Sequence, residues 1–130
     1  MKKFIGTKVI MAEPMTMIEA QKVLGREIKP VTAEEDGYLV EYKDGYKSWS
    51  PKSVFEEAYK PFETFKDRLH IELDELEDRL TKLNVALGKD GFREKVGDYQ
   101  FKLMKEQSLA MAAYKKALGE RYDDLFSRGS

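Results

Sequence analysis

The sequence predicts an α+β chain: a small N-terminal antiparallel β-sheet head with short helices over residues 1–60, followed by a long C-terminal antiparallel helical hairpin over residues 61–130. Three observations predict it. Leu69, Leu73, Leu76, Leu80, Leu83 and Leu87 alternate spacings of four and three, the heptad rhythm of a helix with a continuous partner seam. Gly88-Lys89-Asp90-Gly91 breaks that rhythm, and Met104, Met111, Leu118, Tyr122 and Leu125 answer it on the far side. Upstream, two aromatic and β-branched runs flank Lys43-Asp44-Gly45, whose Asp-Gly pair accepts the positive φ angles of a tight hairpin.

The elements follow in order. Phe4 to Ala12 is rich in β-branched residues and reads as a strand stopped by Pro14. Thr16 and Glu19 have the spacing of a capping box and Gly25 supplies a left-handed stop, so residues 17–24 read as a short helix. After a polar loop through Lys29-Pro30 and Glu34-Glu35-Asp36-Gly37, the strands Tyr38–Tyr42 and Tyr46–Trp49 form the hairpin. Ser50 then reads as an N-cap with Pro51 at the first helical position, and a helix runs to about Tyr59. Pro61 closes the head. The first long arm reads as a helix from Phe62 to Leu87, roughly 40 Å long and beyond the radius of a compact domain of this size. The second arm carries a small-residue surface at Ala110, Ala112, Ala113 and Ala117. Two helices cannot cover both surfaces, so a homo-oligomer is expected.

Composition narrows the function. The chain carries 23 basic and 24 acidic residues, which gives no global field to recruit DNA, RNA or an anionic membrane. Without cysteine there is no disulfide framework and no thiolate metal site, which fits an intracellular protein. Gly6, Thr7 and Lys8 interrupt the apolar run a signal peptide needs after Met1-Lys2-Lys3-Phe4, and no segment approaches the ~20 apolar residues of a membrane span. A cytoplasmic location is expected.

Convergent nucleophiles, bases and ligands are scarce. The one histidine, His70, lies among Asp67, Glu72 and Asp74 and reads as a half-exposed helical residue near carboxylates. Neither a Glu-x-x-His pattern nor a calcium loop accompanies it, and the glycines Gly37, Gly45, Gly88, Gly91 and Gly97 are isolated turn residues, so neither metal, cofactor nor catalysis is expected. The acidic run Glu72, Asp74, Glu75, Glu77, Asp78 reads as a solvated face. The second arm differs: Arg93, Lys95, Lys102, Lys105, Lys115, Lys116 and Arg121 are interleaved with Phe92, Tyr99, Phe101, Tyr114 and Tyr122, the mixture that suits an aromatic anion. Trp49 reads as a plug that seats the head on the hairpin.

The run Gly37 to Lys52, with Val54-Phe55-Glu56 and Ala58-Tyr59, resembles a module of small bacteriophage proteins. Arg68, Glu75-Leu76-Glu77-Asp78-Arg79-Leu80-Thr81-Lys82-Leu83, Gln107-Ser108-Leu109-Ala110-Met111, Tyr114, Leu118 and Arg121 resemble the helical hairpin shared by Thoeris anti-defence and anti-CBASS phage sponges. Head and hairpin together are similar to the first-described Thoeris anti-defence family. That resemblance implies a non-enzymatic protein of the infected host's cytoplasm that binds cyclic ADP-ribose isomers made by TIR-domain enzymes and holds them intact. It also implies dimers that build hexamers, and in some members uptake of cyclic di- and trinucleotides. Carried over, Arg68 and Arg121 become phosphate forks and Phe92 the adenine stacker; Arg93, Tyr114 and Lys115 join them on chemistry alone. The acidic first arm, whose only basic groups are Lys66, Arg68, Arg79 and Lys82, argues against a broad trinucleotide site there. The rival reading is a coiled-coil adaptor that occupies a protein partner; a third is an enzyme that degrades the signal.

Overall fold

The computed structural model describes residues 1–30 and 32–128 and divides the chain into two compact units, Met1–Lys60 and Pro61–Ser130. The last two positions of the expected hairpin, Gly129 and Ser130, lie outside the described residues. As the sequence predicts, the chain is α+β, with a small antiparallel sheet first and long helices after it.

The first unit contains β1 (Met11–Pro14), α1 (Met17–Leu24), β2 (Gly37–Glu41), β3 (Lys47–Pro51) and α2 (Lys52–Ala58), with the three strands in the order β1-β2-β3. β1 is shorter and later than the expected Phe4–Ala12. Its ladder starts at Met11 opposite Glu41, and β2 ends there as the chain turns, so earlier residues have no strand to pair with in this unit. β1 ends at Pro14 as expected, although Pro14 itself is still paired: it stands opposite Tyr38, and the Met15 N–H just after it donates to the Gly37 carbonyl at 2.9 Å. A proline fits there because its missing donor faces away from β2, as on any sheet edge.

At α1 the Thr16 hydroxyl oxygen accepts from the Glu19 N–H at 3.2 Å, while the hydroxyl itself donates to the Glu19 carboxylate at 3.1 Å. The expected reciprocal box is therefore half made. Gly25 ends the helix at φ 67° as expected. In the β2–β3 connection only Gly45 takes positive φ, at 90°. The Gly45 N–H donates to the Tyr42 carbonyl and the Tyr42 N–H to the Tyr46 carbonyl, the pattern of a type I turn with a glycine bulge rather than a turn with two left-handed residues.

Ser50 does not cap α2, because β3 runs through Pro51 and that position belongs to the ladder opposite Gly37. The cap comes from the loop before β2. Lys52 N–H donates to the Asp36 carbonyl at 2.9 Å, Ser53 N–H donates to the Glu34 carboxylate at 3.2 Å, and the Ser53 hydroxyl donates to the same carboxylate. Ala20, Leu39, Val40 and Trp49 form the buried centre of the unit. The Trp49 indole N–H donates to the Met15 carbonyl at 2.7 Å, and its ring lies so close to Gly37 that a Cβ there would stand 2.5 Å from it and 2.2 Å from the Ser50 carbonyl oxygen. Only glycine fits that crossing. Tyr38 stacks on Phe55 with ring centres 4.1 Å apart and donates its hydroxyl proton to Glu56 at 2.7 Å, an acceptor that raises the phenol above its ordinary pKa.

The second unit contains α3 (Phe65–Leu87), α4 (Phe92–Val96) and α5 (Asp98–Ser127). α3 begins three residues after the expected Phe62 because Thr64 and Asp67 form a full capping box. The Asp67 N–H donates to the Thr64 hydroxyl at 3.0 Å, and the N–H groups of Thr64 and Glu63 both donate to the Asp67 carboxylate at 3.1 Å. Those donors favour the ionised form and hold Asp67 below the usual carboxylate range. Gly91 and Gly97, at φ 79° and 89°, bracket α4 and turn the chain back into α5.

The leucine rhythm then does what its period requires. Leu69, Leu76 and Leu118 are the buried core, with Leu73, Met111, Tyr122 and Leu125 packed on it. Ser108 donates its hydroxyl proton to Asn84 across the arms, a polar contact that helps fix the register of the seam. On the outer side of α5, Ala110, Ala112, Ala113 and Ala117 stay exposed, with Leu109 at 74% and Tyr99 at 69% of full exposure. A 30-residue helix is about 45 Å long, and α3 covers one of its faces.

Candidate functional site

The open end of the hairpin gathers flat rings and cations. α3 starts at Phe65, and one helical turn on stands Arg68; α5 ends through Arg121, Tyr122 and Phe126. Residues three or four apart share a helix face, so Phe65 and Arg68 face the same way, as do Tyr122 and Phe126. The antiparallel return of α5 then brings Arg121 to the same place. The Arg121 guanidinium lies 5.6 Å from the centre of the Phe65 ring, and that of Arg68 lies 6.0 Å from Phe65 and 5.9 Å from Phe62. Beside them Lys66 stands 4.6 Å over Phe126, which stacks on Tyr122 at 6.3 Å.

Charge at this end is arranged for an anion. Among the described residues no carboxylate lies within ion-pair distance of Arg68 or Arg121. The acid next to Arg68, Asp67, has its carboxylate occupied by two backbone donors, and the acid next to Arg121, Glu120, lies 3.9 Å from Lys116. Each guanidinium presents a planar fork that matches two oxygens of a phosphate, and Phe65, 54% exposed, offers a π face between them. His70 is half-exposed as expected; its Nε2 lies 3.2 Å from Asp74 and its ring tilts against Tyr122 at 5.5 Å.

The other expected site residues lie elsewhere on the hairpin. Phe92 and Arg93 belong to α4 at the closed end, about 30 Å along the helices from Arg68. Phe92 is half-buried, and Arg93 is held by Asp98, with Nε 2.9 Å from its carboxylate, while its guanidinium covers Phe101 at 5.6 Å. The hydrogen bond and charge of Asp98 push the Arg93 guanidinium above its ordinary value. Lys115 lies in the seam with Nζ 3.9 Å from Glu77 of α3, so its charge links the two arms. Tyr114, three residues after Met111 and four before Leu118, is 46% exposed at the border of the core face of α5. One protomer thus unites Arg68 with Arg121, and keeps both apart from Phe92 and Arg93.

Sequence reasoning missed Phe65. The signal was present in the three-residue spacing from Phe65 to Arg68, but the helix was expected to begin at Phe62, which hid Phe65 as the first-turn residue next to a cap. The head has its own shallow cleft of about 350 Å³, lined by Pro14, Thr16, Glu19, Asp36, Tyr38 and Lys52 among others. Its charges are mixed and Thr16 and Glu19 bond each other, so it offers no matched set of donors for an anion.

Residues 63–124 match the family profile described as Sequestin. The matched stretch is just under half of the chain, lies in the second unit and runs from the Thr64 cap through Arg121. It supports a sequestin-type anti-defence sponge, which acts by holding a signal molecule. No curated protein and no solved structure matches the chain. Among the described residues no helix is long and apolar enough to cross a membrane.

Proposed function

We propose that the chain sequesters a cyclic ADP-ribose isomer, a signal of TIR-domain enzymes, and holds it unaltered as a non-enzymatic Thoeris anti-defence sponge. The observation that carries this reading is the Arg68–Phe65–Arg121 arrangement. Two unpaired guanidinium forks flanking one exposed ring suit a small molecule with two phosphates and an adenine, and a cyclic dinucleotide shares that chemistry.

Sequestration requires affinity near nanomolar, about 12 kcal/mol, and ligands held that tightly have most of their surface covered. The open end of one hairpin is a surface rather than a chamber. A second protomer closes it in this proposal, docking on the uncovered face of α5. There Tyr99 and Leu103 are bulky and Ala110, Ala113 and Ala117 small, so an antiparallel copy sets large residues against small ones. The same arrangement carries Phe92 and Arg93 of one chain toward Arg68 and Arg121 of the next. The assembly is a dimer that builds a hexamer.

Incubating the purified protein with the product of a TIR enzyme, removing the protein, and heating it tests the reading. A sponge depletes the free signal and releases it intact on denaturation. A protein-binding adaptor leaves it free, and an enzyme returns fragments.

A further inference from the structure

Phe62 stands at the open end of the hairpin, ahead of α3 and one residue before the stretch that matches the family profile. Its ring is half exposed and takes no part in the core around Leu69, Leu76 and Leu118. Its backbone is nevertheless held on both sides. Pro61 has a locked φ just before it. Just after it, the peptide N–H that joins Phe62 to Glu63 donates to the Asp67 carboxylate at 3.1 Å, as does the Thr64 N–H. The bond from Thr64, with the one from the Asp67 N–H to the Thr64 hydroxyl, is the ordinary pair of a capping box. The bond from Glu63 is additional, and it pins the peptide next to Phe62. The ring is thereby brought back over the first turn of α3, with its centre 5.9 Å from the Arg68 guanidinium, while Phe65 meets the same guanidinium at 6.0 Å.

We infer that Phe62 is a positioning residue for Arg68, which it orders, together with Phe65, as the preset phosphate-binding guanidinium of the open end. An arginine side chain has several rotatable bonds, and a ligand that must first immobilise it loses affinity. Two ring faces attract the guanidinium electrostatically and narrow its positions before any anion arrives. The N–H donors lie in the guanidinium plane and remain directed outward, where a phosphate accepts two of them at once. Phe65 is shared with Arg121, whose guanidinium lies over it at 5.6 Å from the other arm, so Phe65 cannot be removed without disturbing both cations. Phe62 acts on Arg68. A leucine at position 62 would cover the same apolar surface without a π face, which separates positioning from packing. The inference deepens the reading of the open end as a phosphate site and rests on it.

The test uses the full chain and inorganic pyrophosphate, which offers phosphate oxygens but neither base nor ribose. The Arg68 Nε–H resonance, assigned by its loss in Arg68→Lys, reports on the site. In the parent, pyrophosphate moves it saturably. Phe62→Ala and Phe62→Leu each weaken that Kd about two- to five-fold, the effect of one cation–π contact at an exposed site. Without ligand, both variants shift the same resonance toward its position in an unstructured chain. Phe62→Trp, which keeps a π face, binds as tightly as the parent. Phe62 lies outside the core, so all three variants keep the parent's helix content and melting temperature. If Phe62→Leu binds pyrophosphate as the parent does, the ring only covers apolar surface, and the positioning role is overturned while the phosphate site stands. If pyrophosphate leaves the Arg68 resonance of the folded parent unmoved, the phosphate reading of the open end fails and takes the inference with it.

Discussion

Replacing Phe65 by alanine removes the ring that Arg68 and Arg121 share, at 6.0 and 5.6 Å, and leaves the heptad core untouched. The ring is 54% exposed, so by area its loss costs the fold only about 1 kcal/mol. Loss of a stacked base and of the ring that orients two guanidinium groups removes about 1 to 3 kcal/mol of binding, roughly a 5- to 150-fold weaker Kd. Calorimetric titration with a cyclic ADP-ribose isomer, alongside a thermal melt of the same sample, separates the two effects. Phe65→Tyr, which keeps the π face, should stay within a few-fold of the parent. If Phe65→Ala binds within twofold of the parent while folded, the ring does not stack the ligand and the placement of the site at the open end is wrong.

Other consequences can be measured on the unliganded protein. Leu118 is 2% exposed and completes the core with Leu69 and Leu76, so Leu118→Ala should lower unfolding stability by about 2 to 5 kcal/mol in urea titrations monitored by helix content. Thr64→Ala removes the cap of α3 and should cost about 1 kcal/mol. Because Asp67 is held below the usual carboxylate range, its contribution is present above that range and disappears as pH falls through the depressed folded value; Asp67→Asn should flatten this acid limb of the stability curve. Tyr38 has the opposite sign: its raised phenol adds stability below its ordinary value that is lost on passing through the folded one, and Tyr38→Phe removes that alkaline limb. Gly37→Ala, whose Cβ would overlap the Ser50 carbonyl and the Trp49 ring, should abolish the native Trp49 fluorescence spectrum of the head while the hairpin keeps its helix signal.

What could be read from the sequence follows from what is local. The period of Leu69 to Leu87, the Asp-Gly turn and the Thr16 and Gly25 helix ends are set by neighbours within one turn, and each stands in the structure, with the turn type and half of one cap differing. Nonlocal partners were illegible. The α2 cap comes from Glu34, nineteen residues before Ser53, and no local rule separates Ser50 as a ladder residue from Ser50 as a cap. β1 could not be bounded from its own residues because the end of β2, not the strand's propensity, decides where pairing starts. At the candidate site, the pairing of Arg68 with Arg121 depends on the return of α5, and the hairpin pattern already contained it. Arg93 and Lys115 read as spare cations in the sequence, yet Asp98 and Glu77 occupy them, a fact only the fold brings out.

The most direct measurement is a calorimetric titration of a cyclic ADP-ribose isomer into the intact protein, with the ligand recovered by heating and identified by mass. The account predicts saturable binding with Kd near the nanomolar level and recovery of the same molecule, unopened. A well-folded protein that gives no saturable heat with any such isomer, or that returns a hydrolysed product, would contradict it.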